Sequence, residues 1–175
     1  MVWRRVLVPG TCTLRELHGV IQVAMGWEGI HLYQFCLRSR RYGSWEVSAS
    51  SPNVTLAALK LRKGARFTYE YDLNIPWRHE VRIEENRLDA APGKAYPTCI
   101  AGDGACPPED CGGIPGYYAM LDALSDPEHP DHAEVAEYLE DWDPKEIDEF
   151  PLKIALGRIA NRRNAARTRI SKKTT

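Results

Sequence analysis

The chain has 175 residues, 43% hydrophobic and 27% charged, a composition typical of a folded globular domain. Its longest apolar runs span only a few residues, whereas a membrane-spanning helix needs about 20, so no such helix is predicted. The first nine residues lack the apolar core and cleavage site of a secretory signal, so we expect the protein in the cytoplasm.

The formal net charge of −1 conceals three blocks of different sign. Residues 1–102 carry +5, residues 103–149 carry −14 and residues 150–175 carry +8 without a single acid. Such blocks are typical of solvated faces and tails, and less often of binding surfaces.

A strand and a helix are the first predicted elements. Aromatic and β-branched residues over 2–8 indicate a strand, which a Pro-Gly pair ends. Thr13 and Glu16 have the spacing of a capping box, which indicates the start of a helix. Gly26 indicates its end. We expect one apolar face of this helix to pack on the sheet against Leu32 or Phe35. That face is formed by residues spaced three and four apart: Leu14, Leu17, Ile21 and Met25.

Further strands follow in the middle of the chain. Residues 31–37 indicate a central strand, and residues 45–47 a short one. Residues 66–73 and 77–84 alternate in hydrophobicity on either side of a turn, which predicts a β-hairpin.

The last part of the chain is predicted to be a loop followed by helices. Residues 86–114 are rich in glycine and proline, which indicates a long loop. Helical patterns follow over residues 115–124, 132–142 and 152–166. The fold class is therefore α+β, with a β-grasp-like mixed or antiparallel sheet of four to five strands, a packed helix and a C-terminal helical layer.

We expect a single domain over residues 1–156, followed by a basic helix end and tail over residues 157–175. Clustered cations favour nucleic-acid binding because they displace counterions from phosphates. The candidate cations are Arg158, Arg162, Arg163, Arg167, Arg169, Lys172 and Lys173.

Three cysteines lie close together in the sequence, at Cys99, Cys106 and Cys111. Thiolates are good zinc ligands, and His79 or His31 is the candidate for the fourth position. Paired zinc-binding cysteines normally have two to four residues between them. The six residues between Cys99 and Cys106 exceed this range, and the four between Cys106 and Cys111 are at its upper limit. A Cys99–Cys106 disulfide and free thiols that stabilise the loop are the alternatives.

The hairpin and the acidic pair after Cys106 supply the ligand-binding candidates. Asp72 and His79, if close together, would form a proton-transfer pair. Glu109 and Asp110 are expected either to hold a divalent cation or to cap the helix that follows. The full candidate set is Tyr71, Asp72, Trp77, His79, Glu109 and Asp110.

Several motifs occur together and in order along the chain: WRRVLVPG from Trp3, MGW from Met25, HLYQF from His31, Tyr71-Asp72 with Trp77 and His79, and CPPEDCGG from Cys106. Over about residues 2–156 the sequence resembles the plasmid pRiA4b ORF-three-like family, which also includes passenger proteins of insertion elements. The resemblance implies an association with plasmids or mobile elements, and the family has no established activity.

Two functional hypotheses follow. The first is a non-enzymatic binding or accessory module that contacts nucleic acid or a mobile-element protein. The alternative is a metal- or thiol-dependent enzyme centred on the Cys99–Cys111 segment and the hairpin of Trp77 and His79. The sequence contains no recognisable catalytic motif.

Overall fold

The structure is a computed structural model that describes residues 1–140 and 142–173, with the side chains of residues 1–140 and 142–166. Its elements, in chain order, are β1 (Trp3–Leu7), α1 (Leu14–Met25), β2 (Tyr33–Leu37), β3 (Arg40–Gly43), β4 (Arg66–Tyr71), β5 (Trp77–Arg82), β6 (Thr98–Asp103), α2 (Gly113–Ser125), α3 (His132–Leu139) and α4 (Glu149–Lys173).

The strands form two antiparallel sheets. The larger sheet has the order β3-β2-β4-β5, and the smaller pairs β1 with β6. The predicted hairpin is confirmed as β4 and β5, in which Tyr69 lies opposite His79 and Tyr71 opposite Trp77. Helices and antiparallel sheets together give the α+β class that the sequence predicts.

Helix α1 begins and ends where its sequence predicts. The Thr13 hydroxyl accepts a hydrogen bond from the backbone N–H of Glu16, whose carboxylate accepts one from the backbone N–H of Thr13. Gly26 closes the helix with a φ of 78°, a left-handed conformation that glycine adopts without strain.

Helix α1 lies between two hydrophobic cores. On one side Leu14 and Leu17 pack with Phe35 and the inner face of the larger sheet. On the other side Val20 packs with Leu156 of α4 and with residues of β1 and β6. Ile21 and Met25 are half-buried at the margin of the first core, so the predicted apolar face is confirmed.

Two local predictions were wrong, and one strand was missed. Strand β6 lies within the segment predicted to be a loop, because pairing with β1 stabilises a sequence of low strand propensity. Strand β3 was not predicted, and Trp45–Val47 is a 3-10 turn instead of a strand.

Helix α4 extends from Glu149 to Lys173, beyond both ends of the helix predicted over residues 152–166. Its apolar residues Leu152, Leu156 and Ala160 are buried. Among the described helices, none combines the length and the hydropathy required to cross a membrane.

Candidate functional site

The CPPED loop, residues 104–112, is held in place through its main chain. The indole of Trp27, directly after α1, donates a hydrogen bond to the carbonyl oxygen of Pro107 at 2.9 Å. The indole of Trp142 donates to the carbonyl oxygen of Cys106 at 3.1 Å. Both rings combine an apolar body with a directed N–H, so the loop has a fixed path despite its turn-rich composition.

Glu109 is the main side-chain anchor of this loop. Its carboxylate accepts hydrogen bonds from the backbone N–H groups of Glu28 at 2.6 Å and Gly29 at 3.2 Å. The phenol of Tyr71 donates to the same carboxylate. Burial disfavours the charged form, but these donors outweigh burial and hold the pKa of Glu109 below its usual value. An ionised carboxylate therefore joins the loop to the end of α1 and to β4.

Asp110 faces the same segment. Its Oδ1 lies 2.8 Å from Nε2 of His31 in a partly exposed pair. The N-cap of α2 is Gly112, without a side-chain capping hydrogen bond. The prediction that Glu109 and Asp110 cap this helix is therefore wrong, because both carboxylates bind the segment after α1 instead.

An aromatic cleft of about 230 Å³ opens between β5, the end of α1, the CPPED loop and the start of α2. Two tryptophans, two tyrosines, a proline and several smaller apolar side chains form most of its wall. Its lining residues are Val2, Met25, Trp27, Trp77, Arg78, His79, Cys106, Pro107, Ile114, Tyr117 and Tyr118.

The approach of the loop to the hairpin depends on glycine. A Cβ atom at Gly113 would lie 2.2 Å from Cγ2 of Ile75, and the residue has a φ of 68°. Both facts exclude a larger side chain there without rearrangement, so the start of α2 can lie against the tip of the hairpin.

Trp77 places an unpaired polar group in the cleft wall. The residue is 7% exposed, and its indole Nε1 is buried without a hydrogen-bond partner among the described residues. A buried unpaired N–H costs about 1–3 kcal/mol. Its ring centroid lies 5.8 Å from that of Trp27, which packs beside it. The cleft wall therefore contains two neighbouring indole rings, and the N–H of one of them is buried without a partner among the described residues.

His79 adds a neutral imidazole to the same wall. Its ring meets Trp27 edge-on at a centroid distance of 5.4 Å. Its Nδ1 lies 3.1 Å from the carbonyl oxygen of Trp77, and because a carbonyl only accepts, this contact places the hydrogen on Nδ1. Burial lowers the pKa of His79, which favours the neutral ring. Because Nδ1 carries the hydrogen, the lone pair of the neutral ring is on Nε2.

Asp72 does not join His79. Its Oδ1 accepts a hydrogen bond from the backbone N–H of Asn74 at 3.3 Å, within the turn of the hairpin. In the part of the chain that the structure describes, no hydrogen bond connects Asp72 with His79. The predicted proton-transfer pair is therefore not assembled, whereas Tyr71, Trp77, His79 and Glu109 all lie at or beside the cleft.

The structure does not bring the three clustered cysteines together as zinc ligands. Cys99, on β6, packs in the second core, whereas Cys106 and Cys111 lie at the margin of the first. All five cysteines are free thiols, so the Cys99–Cys106 disulfide is not formed. Within residues 1–140 and 142–173, no cluster of three or more His, Cys, Asp or Glu side chains, His79 included, is placed to hold a metal ion.

A buried polar network extends beneath the segment after α1. His18 stacks on Tyr33 at 3.7 Å, and its Nδ1 lies 2.7 Å from the hydroxyl of Tyr69. The side-chain amide of Gln22 donates to the same hydroxyl at 2.8 Å. Burial lowers the pKa of His18 to about 4, so its ring is neutral near pH 7.

The basic residues of α4 have different environments. Arg158 and Arg162 are exposed. Arg163 is only 13% exposed, because it forms an ion pair with Glu16 and donates to the hydroxyl of Thr11 at 3.2 Å. Arg163 is therefore committed to the fold rather than available to phosphate. The side chains of Arg167, Arg169, Lys172 and Lys173 lie outside the described residues.

A second hollow, of about 280 Å³, lies on the polar face of β4 and β5. Its charged side chains pair with each other or with neighbours, as in the contacts of Arg66 with Glu80 at 3.2 Å and of Arg78 with Glu70 at 2.9 Å. Its charged side chains thus already have partners, so we take the aromatic cleft as the candidate site.

Sequence reasoning did not identify Trp27, Tyr117 or Met25 as part of the site. Trp27 and Met25 lie within the MGW motif, and Tyr117 follows the CPPEDCGG motif. An aromatic residue beside glycine is a weak signal by itself. Only the return of the CPPED loop onto α1 brings these side chains together.

Comparisons with known proteins agree with this architecture. A family model described as plasmid pRiA4b ORF-3-like protein matches residues 1–150. Uncharacterized protein y4hQ of Sinorhizobium fredii is 40% identical over 144 residues, which cover 79% of this chain and 73% of that protein. The crystal structure of a protein of unknown function, MM3350 from Methanosarcina mazei, has a TM-score of 0.76 and 34% identity, and the match covers 84% of this chain and 86% of the other.

Proposed function

Since the chain belongs to the plasmid pRiA4b ORF-3-like family, we propose that it is a non-enzymatic binding module whose aromatic cleft receives a side chain of a partner protein. The plasmid origin of the family favours a partner encoded on the same mobile element. The observation that carries the proposal is the aromatic lining of the cleft, in which the rings of Trp27 and Trp77 lie side by side.

The dimensions and lining of the cleft favour one large apolar side chain. Its volume of about 230 Å³ is below the roughly 300–1,000 Å³ of pockets for drug-sized ligands. Aromatic pockets of this kind receive the anchor residues of protein interfaces.

Nucleic acid is a poorer fit to this cleft. Phosphate recognition requires clustered lysines or arginines, and among the described side chains Arg78 is the one arginine or lysine that lines the cleft. The exposed arginines of α4 do not line it. We therefore treat nucleic-acid binding as a separate property of α4.

Thiol catalysis is also disfavoured. Cys106 is the cysteine in the cleft wall, and burial raises the pKa of its thiol to about 12. The thiolate is the reactive form, so Cys106 is almost entirely unreactive near pH 7.

The test uses random peptides displayed on phage and selected on the immobilised protein. Selected peptides are then titrated into wild type, Trp77→Phe and Trp45→Phe by calorimetry. Phenylalanine keeps an aromatic ring at position 77 but is smaller than the indole and so removes part of the cleft wall, whereas Trp45 is 81% exposed and outside the cleft. We expect Trp77→Phe to weaken binding about tenfold, the equivalent of about 1.4 kcal/mol, and Trp45→Phe to change it less than twofold.

A second measurement does not depend on the variant. On addition of peptide, the indole N–H resonance of Trp77 in a ¹⁵N spectrum should shift more than that of Trp45. Peptides that bind Trp77→Phe as tightly as wild type, with no shift of the Trp77 resonance, contradict the proposal. Selection of no peptide at all also contradicts it.

A further inference from the structure

Strand β5 has one unpaired edge. It is the outer strand of the sheet order β3-β2-β4-β5, and it pairs only with β4 among the described strands. The backbone hydrogen bond from Ile83 to the carbonyl oxygen of Ala65 places odd-numbered residues in the hydrogen-bonded pairs with β4. Even-numbered residues therefore direct their N–H and C=O groups outwards: Arg78, Glu80 and Arg82.

The aromatic cleft reaches this edge. Successive residues of a strand point to opposite faces, yet Trp77, Arg78 and His79 all line the cleft. Because β5 is the outer strand of its sheet, these three residues lie at the margin of the sheet. The outward main-chain groups of Arg78 thus lie beside the site that we propose for the anchor side chain.

From this geometry we propose that the partner binds as an extended strand added to the free edge of β5, with one apolar side chain in the aromatic cleft. The inference rests on the proposed function and specifies the form of its ligand. Strand addition supplies main-chain hydrogen bonds, and a pocket beside the strand selects the side chain.

The charges along the edge specify a further property of the partner. The outward positions carry two arginines and one glutamate, so the edge is net positive. Cross-strand pairs of opposite charge are favourable, whereas like charges directly opposite each other are not. An acidic side chain on the polar face of the added strand, opposite Arg78 or Arg82, is therefore favoured. The same charges disfavour indiscriminate pairing with apolar strands.

The experiment compares Glu80→Pro with Glu80→Ala, using the peptides selected on the wild type. Both variants lose the carboxylate that pairs with Arg66, but only proline also removes the outward N–H. Proline is tolerated on an edge strand where its nitrogen faces away from the ladder. Position 80 does not line the cleft, so the anchor site is intact in both variants. We expect Glu80→Pro to weaken binding at least tenfold relative to Glu80→Ala, with melting temperatures confirming that both fold.

Peptide chemistry provides a test on the unmodified protein. Methylation of backbone nitrogens, one at a time, should abolish binding at alternate residues of the peptide and leave the intervening ones active, because only every second N–H faces β5. Equal binding by Glu80→Pro and Glu80→Ala, with no alternation on methylation, overturns strand addition. If Trp77→Phe still weakens binding in that case, the proposed function stands; if it does not, both fail.

Discussion

Glu109 illustrates how a single carboxylate positions a loop. Glutamine at this position keeps the shape but has one acceptor oxygen instead of two and no charge, so at least one of the three donors loses its bond. We expect Glu109→Gln to lower the free energy of unfolding by about 1–2 kcal/mol at pH 7, measured by urea denaturation. Glu28→Gln is the control, because only the backbone N–H of Glu28 takes part in this contact.

The pH dependence of this effect has a defined sign. The folded-state pKa of Glu109 is lowered. Its contribution to the free energy of unfolding is therefore present above the unfolded-state pKa of about 4.3 and is lost as the pH falls through the folded-state pKa. The difference between wild type and Glu109→Gln should therefore shrink in acid. A difference that stays constant down to pH 2 contradicts the assignment of Glu109 as an ionised anchor.

His18 gives a second pH prediction. Its pKa is lowered to about 4, so between pH 6.5 and 4 the unfolded chain binds a proton that the folded chain does not. The free energy of unfolding must then decrease as the pH is lowered across this window, and His18 contributes up to about 3 kcal/mol of that decrease. In His18→Phe the phenyl ring keeps a stacking surface for Tyr33, and Gln22 still donates to Tyr69. We expect a flatter pH profile of the unfolding free energy in His18→Phe.

The control for this experiment is Trp45→Phe, an aromatic substitution at a position that is 81% exposed. It should leave the profile unchanged. His79 also has a lowered pKa and titrates in the same direction, so some slope will remain in His18→Phe. A profile identical to wild type would mean that His18 does not contribute to the pH dependence.

Part of the site could be predicted from residue types alone. Tyr71, Trp77, His79 and Glu109 are side chains that combine apolar or buried surroundings with a polar group, and the sequence includes all four among the ligand-binding candidates. The role of Glu109 was not predictable, because its donors are backbone N–H groups about 80 positions away in the chain. The zinc site predicted from the cysteines is not formed for a related reason. Closeness in sequence gives no information about which core each thiol packs in.

At the scale of elements, α1 was predictable because its signals are local. Its cap, its period and its stop all lie within residues 13–26. Strand β6 was not, because the partner that stabilises it, β1, is about 95 residues earlier in the chain. Glycine and proline indicate a loop when only neighbouring residues are considered. Here the long-range pairing with β1 outweighs that local preference.

The packing of α1 supports a direct prediction. Leu17 is 4% exposed in the first core, between the helix and the larger sheet. Leu17→Ala should lower the free energy of unfolding by about 2–5 kcal/mol, since it removes buried methyl groups and leaves a cavity. Leu88→Ala, at a position that is 64% exposed, is the control and should cost less than about 0.5 kcal/mol. Similar costs for the two changes would contradict the arrangement of this core.

The contact between α4 and the start of α1 supports another prediction of stability. Arg163 pairs with Glu16, which also closes the capping box with Thr13. Arg163→Ala should therefore lower the free energy of unfolding by about 1–3 kcal/mol, whereas Arg158→Ala on the exposed face should have little effect. A double-mutant cycle with Glu16→Gln measures the coupling directly. Zero coupling would show that the ion pair does not hold α4.

At the scale of the whole molecule, the charge blocks acquire positions in the fold. The block of −14 over residues 103–149 contains the CPPED loop, α2 and α3, whereas the block of +8 begins within α4. The cleft is formed chiefly by aromatic and apolar side chains, with Arg78 as the charged exception. Two surfaces of different chemistry therefore exist on one domain, and different partner classes would use them separately.

This separation can be tested with a labelled DNA duplex in fluorescence anisotropy. Any affinity for the duplex should come from α4 and fall steeply between about 50 and 200 mM salt, because it depends on counterion release. The double variant Arg158→Ala, Arg162→Ala should weaken it and lower the salt slope by about 2, one for each lost phosphate contact. Trp77→Phe should leave duplex binding unchanged, because the cleft wall contains no cluster of cations. If Trp77→Phe weakened duplex binding while the arginine variant did not, the cleft would have to be reassigned to nucleic acid.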